Sequence, residues 1–117
     1  MTNRKLKNLI RLSCRVAVYV PSTVDVDKGT DNAQQVDETL RLLSALFGGA
    51  TAADALGCWL TAAGDLVKER VTIVYAYCDT GHLDTGIDRV VQHAERVKAT
   101  MRQEAVAVEV NGELYFV

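Results

Sequence analysis

Residues 48–71 read GGATAADALGCWLTAAGDLVKERV. Gly48-Gly49 is a helix stop, because glycine takes the left-handed conformation of a helix C-cap without steric cost. Residues 50–60 have strand character, weakened by Gly57, and carry the chain's single tryptophan, Trp59. Ala63-Gly64-Asp65 is a hairpin turn signal. Leu66 to Tyr77 then runs back as a long strand, in which Val71-Thr72-Ile73-Val74-Tyr75 is strongly β-prone. The segment is therefore a hairpin that follows directly on a helix.

Working towards the N-terminus, that helix starts near Asp31 or Asn32, either of which suits an N-cap. Val36, Leu40, Leu43 and Phe47 recur at i, i+4, i+7 and i+11 and mark its buried face. A polar loop, residues 21–32, precedes it. Before the loop, Cys14 to Val20 alternates: Cys14, Val16, Val18 and Val20 point one way, Arg15, Ala17 and Tyr19 the other. Pro21 ends this strand, since it cannot donate to a ladder. Towards the C-terminus, residues 78–84 read as a loop, and Thr85 with Asp88 resembles a capping box. Ile87, Val90, Val91, Ala94, Val97 and Met101 mark a second amphipathic helix. Glu104 to Val110 alternates again, Asn111-Gly112 is a strong hairpin signal, and Glu113 to Val117 returns as a last strand. The order predicts an α+β, ferredoxin-like βαββαβ sandwich with an extra C-terminal hairpin strand and both helices on one face of an antiparallel sheet.

With 117 residues, 49% apolar and 24% charged, the chain suits one ordinary globular domain. We divide it into a basic arm, residues 1–13, and a single domain, residues 14–117. Residues 1–15 hold Arg4, Lys5, Lys7, Arg11 and Arg15 and no acid, while residues 16–117 hold 8 basic and 15 acidic residues and carry a net −7. An acidic body argues against a phosphate-tracking nucleic-acid surface. Cys14, Cys58 and Cys78 are an odd set without metal-site spacing, which fits a reducing compartment. No run of about 18 apolar residues offers a membrane span, and no signal-peptide pattern is seen. The expected location is the cytoplasm, with no membrane partner.

The helices of such a sandwich cover one sheet face. The other is polar where it meets water, yet here Val71, Ile73, Tyr75 and Tyr77 fall on one side of the long strand and Val74 and Ala76 on the other. Tyr19, Ala17, Ala105 and Ala107 add to the apolar surface. Such a face marks an interface, and a homo-oligomer through it is expected; the alternative is that a terminal segment folds over it. Candidate ligand-binding residues are Tyr19, Ser22, Thr23 and Lys28 near the first loop, Trp59, Glu69 and Arg70 about the Gly64 turn, and Gln103 and Glu104 where the second helix meets its strand. Trp59 and Glu69 are expected to lie opposite each other across the hairpin or nearly so, the ring stacking on a ligand and the carboxylate accepting a hydrogen bond. Asp25, Asp27 and Asp31 lack the glycine and glutamate of a calcium loop. His82 and His93 read as surface residues. No triad, activated nucleophile or metal set is apparent, and no cofactor is expected.

Taken as a set, GGAT, Asp54-Ala55, Gly57, Trp59, Gly64, Leu66-Val67, Glu69 and Gln103-Glu104-Ala105-Val106 resemble a bacterial domain family of unknown function with a Gly-x-Trp motif. VYVPST near the start and EVNGELY at the end are similar to small proteins of phages and mobile elements. The resemblance implies the ferredoxin-like fold and a role in conflict with a host, and assigns no catalytic residue. The expectation is a non-enzymatic, homo-oligomeric binding protein that sequesters a small ligand, such as a signalling nucleotide, or blocks a host defence protein. The alternative is a small dimeric enzyme of lyase or isomerase type with Glu69 or Glu104 as base.

Overall fold

The computed structural model describes residues 4–24, 28–29 and 31–117, with residues 23–24 and 28–29 described by their backbone. Nine elements follow in order: β1 (Cys14–Pro21), β2 (Thr23–Val24), β3 (Lys28–Gly29), α1 (Ala33–Phe47), β4 (Thr51–Leu60), β5 (Leu66–Cys78), α2 (Thr80–Thr100), β6 (Ala107–Val110) and β7 (Glu113–Phe116). β2 and β3 pair only with each other. The other five strands form one antiparallel sheet in the order β4-β5-β1-β6-β7. The first and third strands of the βαββαβ unit lie side by side at its centre, as the ferredoxin-like reading requires.

Alternation decides which face is buried. Val16, Val18 and Val20 of β1 and Val74 of β5 are wholly buried, with Cys14, Ala76 and Cys78 beside them. Leu43 and Phe47 from α1, Val90, Ala94 and Val97 from α2 and Met101 at the C-cap of α2 close over them. These are the residues their 2.0 and 3.6 periodicities select. Gly48 ends α1 at φ 91°, its N–H donating to Ser44 O. Asn111 at φ 52° and Gly112 at φ 83° make the tight turn between β6 and β7.

The structure corrects three expectations and settles a fourth. α2 starts at Thr80, not near Thr85: Asp79 caps it, its carboxylate accepting the His82 N–H at 2.8 Å. Thr85 instead donates its hydroxyl back to the Gly81 carbonyl at 3.2 Å, so residues 80–84 are helix rather than loop. At the start of α1 the Asp31 carboxylate, one of the two expected caps, accepts the Ala33 N–H at 2.9 Å, and Asn32 makes no side-chain cap bond. Its amide donates to Pro21 O and Thr72 Oγ1, both at 3.1 Å, and ties the helix start to the sheet. β6 begins at Ala107, three residues later than Glu104, because the chain first turns through Arg102 at φ 51°. His93 is buried, not on the surface: its Nε2 lies 2.7 Å from Thr39 Oγ1 between the helices.

Candidate functional site

The candidate site lies on the helix-free face of the sheet. Antiparallel partners share a face, so the register sets which side chains meet there. β5 offers Glu69, Val71, Ile73 and Tyr75; β1 offers Arg15, Ala17 and Tyr19; β6 offers Ala107 and Glu109. The edge strands add Trp59 and Gly57 from β4, and Leu114 and Phe116 from β7. A depression of about 510 Å³ lies across one end of this face, within the range of small-molecule sites. Its floor is low because Gly57, Pro21, Ala105 and Ala107 are small. Trp59 and Phe116 stand at opposite sides, four strand spacings or roughly 19 Å apart. They are 48% and 72% exposed, so the depression is open to solvent.

Among its described lining residues Glu69 is the acidic side chain and Arg70 the basic one. By alternation Arg70 leaves the strand on the other face, and its carbonyl accepts the Ser22 hydroxyl. The hairpin register brings Trp59 and Glu69 nearly, not directly, opposite each other. Leu60 pairs with Leu66, Trp59 with Val67 and Gly57 with Glu69. The reason is the loop, which spans residues 61–65 and is closed by Thr61 N–H to Asp65 O at 2.9 Å and Gly64 N–H to Thr61 O at 2.9 Å. Trp59 and Glu69 are thus diagonal neighbours on one face, with Gly57 opposite the carboxylate.

Tyr19 is fixed from behind. Its hydroxyl donates to Glu109 Oε1 at 3.2 Å, and Glu109 Oε2 is 3.2 Å from Arg15 Nε. The Arg15 guanidinium lies 4.2 Å over the Tyr75 ring and donates to Tyr77 Oη at 3.4 Å. Burial, and then the neighbouring Glu109 carboxylate, raise the Tyr19 pKa above the ordinary phenol value. The phenol therefore stays protonated, and its hydroxyl is committed to Glu109. What Tyr19 presents to the depression is its ring.

Of the sequence candidates, Tyr19, Trp59, Glu69, Arg70 and Gln103 line the depression. Ser22 borders it through Arg70. Glu104 is exposed and does not line it. The side chains of Thr23 and Lys28, and all of Asp25 and Asp27, lie outside the described residues. Sequence reasoning missed Gly57, Leu114 and Phe116. The last two were within reach, because the Asn111-Gly112 turn sets the register that puts them on the open face. Among the described residues no three His, Cys, Asp or Glu side chains gather as a metal would need, and no helix is long and apolar enough to cross a membrane.

No family model matches this chain, and no curated protein matches it. Solved structures do. A phage SAM lyase in its apo state superposes with a TM-score of 0.66 at 21% identity, covering 93% of this chain and 94% of that one. The phage SAM lyase in complex with S-methyl-5′-thioadenosine gives 0.64 at 18% identity over the same shares. CutA from Synechococcus elongatus gives 0.49 at 11% identity, over 91% and 82%. At these identities the likeness is one of fold, an α+β sandwich of two helices on an antiparallel sheet. It nevertheless overturns the expectation of a non-enzymatic binding protein. That reading rested on the doubly apolar central strand and the lack of a catalytic set, and over 93% of its length the chain superposes instead on a phage SAM lyase. A site assembled from single residues on five separate strands leaves no local motif to read. The enzyme alternative fits better.

Proposed function

We propose that the protein is a lyase that cleaves a carbon–sulfur bond of an S-adenosylmethionine-type sulfonium nucleoside and releases S-methyl-5′-thioadenosine. The observation that carries this reading is the depression itself: Glu69, the acidic side chain among the described lining residues, between the aromatic residues Trp59 and Tyr19, on a scaffold shared with a phage SAM lyase. A flat base stacks on an exposed indole. A sulfonium cation is drawn to a carboxylate and to aromatic faces.

When the bond breaks, the sulfur keeps the electron pair and leaves as a neutral thioether. The four-carbon amino-acid fragment balances the change in one of two ways. It loses a proton to the Glu69 carboxylate, forming an alkene and a neutral Glu69. Otherwise its own carboxylate attacks the carbon that carried sulfur, forming a lactone with no proton transfer. Glu104, exposed and outside the depression, is not placed for either route.

A second copy of the chain on the open sheet face would close the depression and cover Trp59, Leu114 and Phe116, so we include a homo-oligomer in the proposal. The fold likeness and the terminal sequence motifs support an origin on a phage or mobile element. Destroying a methyl donor in the cytoplasm would act against any host system that depends on methylation.

The test is incubation of the purified protein with S-adenosylmethionine and chromatography of the products. S-methyl-5′-thioadenosine is expected, with no water incorporated into the four-carbon fragment at the bond-breaking step. Glu69→Gln separates the two routes: a loss of about 10²-fold or more marks proton abstraction, and a largely retained rate marks internal attack. Absence of product and of binding by the wild type would sink the reading.

A further inference from the structure

We propose that Gly57 is a specificity-determining residue of this site, one that keeps the floor clear for the ligand's base and ribose beside Trp59. The proposal rests on the lyase reading above. A glycine inside a strand costs stability, because it loses more backbone entropy on folding and contributes no side chain to packing. For its own sake a fold keeps such a glycine for a positive φ, for a bulge, or for a close approach of another part of the chain.

None of these applies at position 57. Its φ lies outside the left-handed region, unlike those of Gly48, Gly64 and Gly112. The β4–β5 ladder runs without interruption from Thr51↔Tyr75 to Leu60↔Leu66, straight through Gly57↔Glu69. Among the described residues a Cβ on Gly57 would meet only the Glu69 carbonyl oxygen, at 3.7 Å, which is ordinary contact. Gly86 shows the contrast: a Cβ there would come within 3.0 Å of Phe47 Cε1, so packing demands that glycine.

The space that the missing side chain leaves is inside the depression. Position 57 shares its sheet face with Trp59, about 7 Å further along the strand, and with Glu69 opposite. A planar ring resting on Trp59 overhangs position 57. Any side chain added there rises into the ring's path and stands between the ligand and Glu69. The fold does not use the gap, and a base-sized ligand does.

Gly57→Ala and Gly57→Val test this, read by thermal melting and by titration with S-methyl-5′-thioadenosine and with S-adenosylmethionine. Both variants are expected to melt at or above the wild-type temperature, since alanine and valine suit a strand better than glycine. Affinity for both ligands should fall, by tenfold or more for valine and by less for alanine. Variants that melt normally and bind as the wild type does would overturn the proposal while leaving the lyase reading intact. A clear fall in melting temperature for both would overturn it as well, by showing that the fold itself needs the glycine. If valine alone prevents folding, the alanine variant decides by the same criteria. A wild type that binds neither ligand would overturn both readings.

Discussion

At the scale of single residues, His93 shows how burial sets a titration. Thr39 Oγ1 lies 2.6 Å from the Gln35 carbonyl, to which it donates. It must therefore accept from His93 Nε2, which places the proton of the neutral ring on that nitrogen. Burial, and after it the nearby Arg96 charge, lower the His93 pKa below its ordinary value, with Glu38 opposing. The unfolded chain then binds this proton at a pH where the folded one does not. Stability from this group is complete above about pH 6.5 and is lost as pH falls below it. Denaturant unfolding between pH 8 and 5 should show a steeper acid loss for wild type than for His93→Leu; equal slopes would contradict this account. Thr39→Val leaves the buried N–H without its acceptor and should cost about 1–3 kcal/mol.

At the scale of elements, the ends of the helices separate what glycine and aspartate each do. Gly48 holds φ 91°, whereas Gly49 takes no positive φ and a Cβ on it would meet nothing within 4 Å. Gly48→Val should therefore destabilise by more than ~1 kcal/mol, and Gly49→Ala should leave the melting temperature nearly unchanged. At the start of α2, Asp79→Ala removes the acceptor for His82 N–H and should cost about 0.5–2 kcal/mol. Thr85→Ala should cost less, because that hydroxyl only returns to carbonyls of its own helix. Melts of the four variants give the ranking directly. The double glycine was legible as a helix stop because backbone freedom is a property of the residue alone. The cap at Asp79 was not, since Asp79, Asp84 and Thr85 are all acceptable caps locally. The structure places the start at Asp79, whose carboxylate accepts the His82 N–H at 2.8 Å.

At the scale of the molecule, the sheet has one face under helices and one bare. Ile73 and Tyr75 are half-buried on the bare face, and Tyr77 is exposed. A carboxylate set into an interface there loses its water without gaining a partner. Ile73→Glu should therefore shift the protein to smaller species by light scattering while its far-ultraviolet circular dichroism stays native. A wild type that is monomeric at micromolar concentration would end the oligomer proposal. The variant that separates should also turn over S-adenosylmethionine poorly, because its depression is left open.

Sequence alone determined the elements and their buried faces. Strand alternation in β1 and β5, the helical spacing of Leu43, Phe47, Val90, Ala94 and Val97, and the glycines at tight turns are all local properties. A chain with those periods has one way to bury them, two helices on one side of a sheet. The Asn111-Gly112 turn likewise set its own register. Tertiary structure alone decided the site. Tyr19, Glu69, Trp59, Ala107 and Phe116 lie far apart in the chain and meet because β5 and β1 pair at the centre of the sheet and place β4 and β7 at opposite edges. It also decided that Gly57, not Trp59, faces Glu69, since two residues' difference in where a loop closes moves a partner without changing either strand's pattern. The burial of His93 belongs with these: its polarity reads as surface, and only the approach of Thr39 from the other helix supplies the hydrogen bond that lets it be buried.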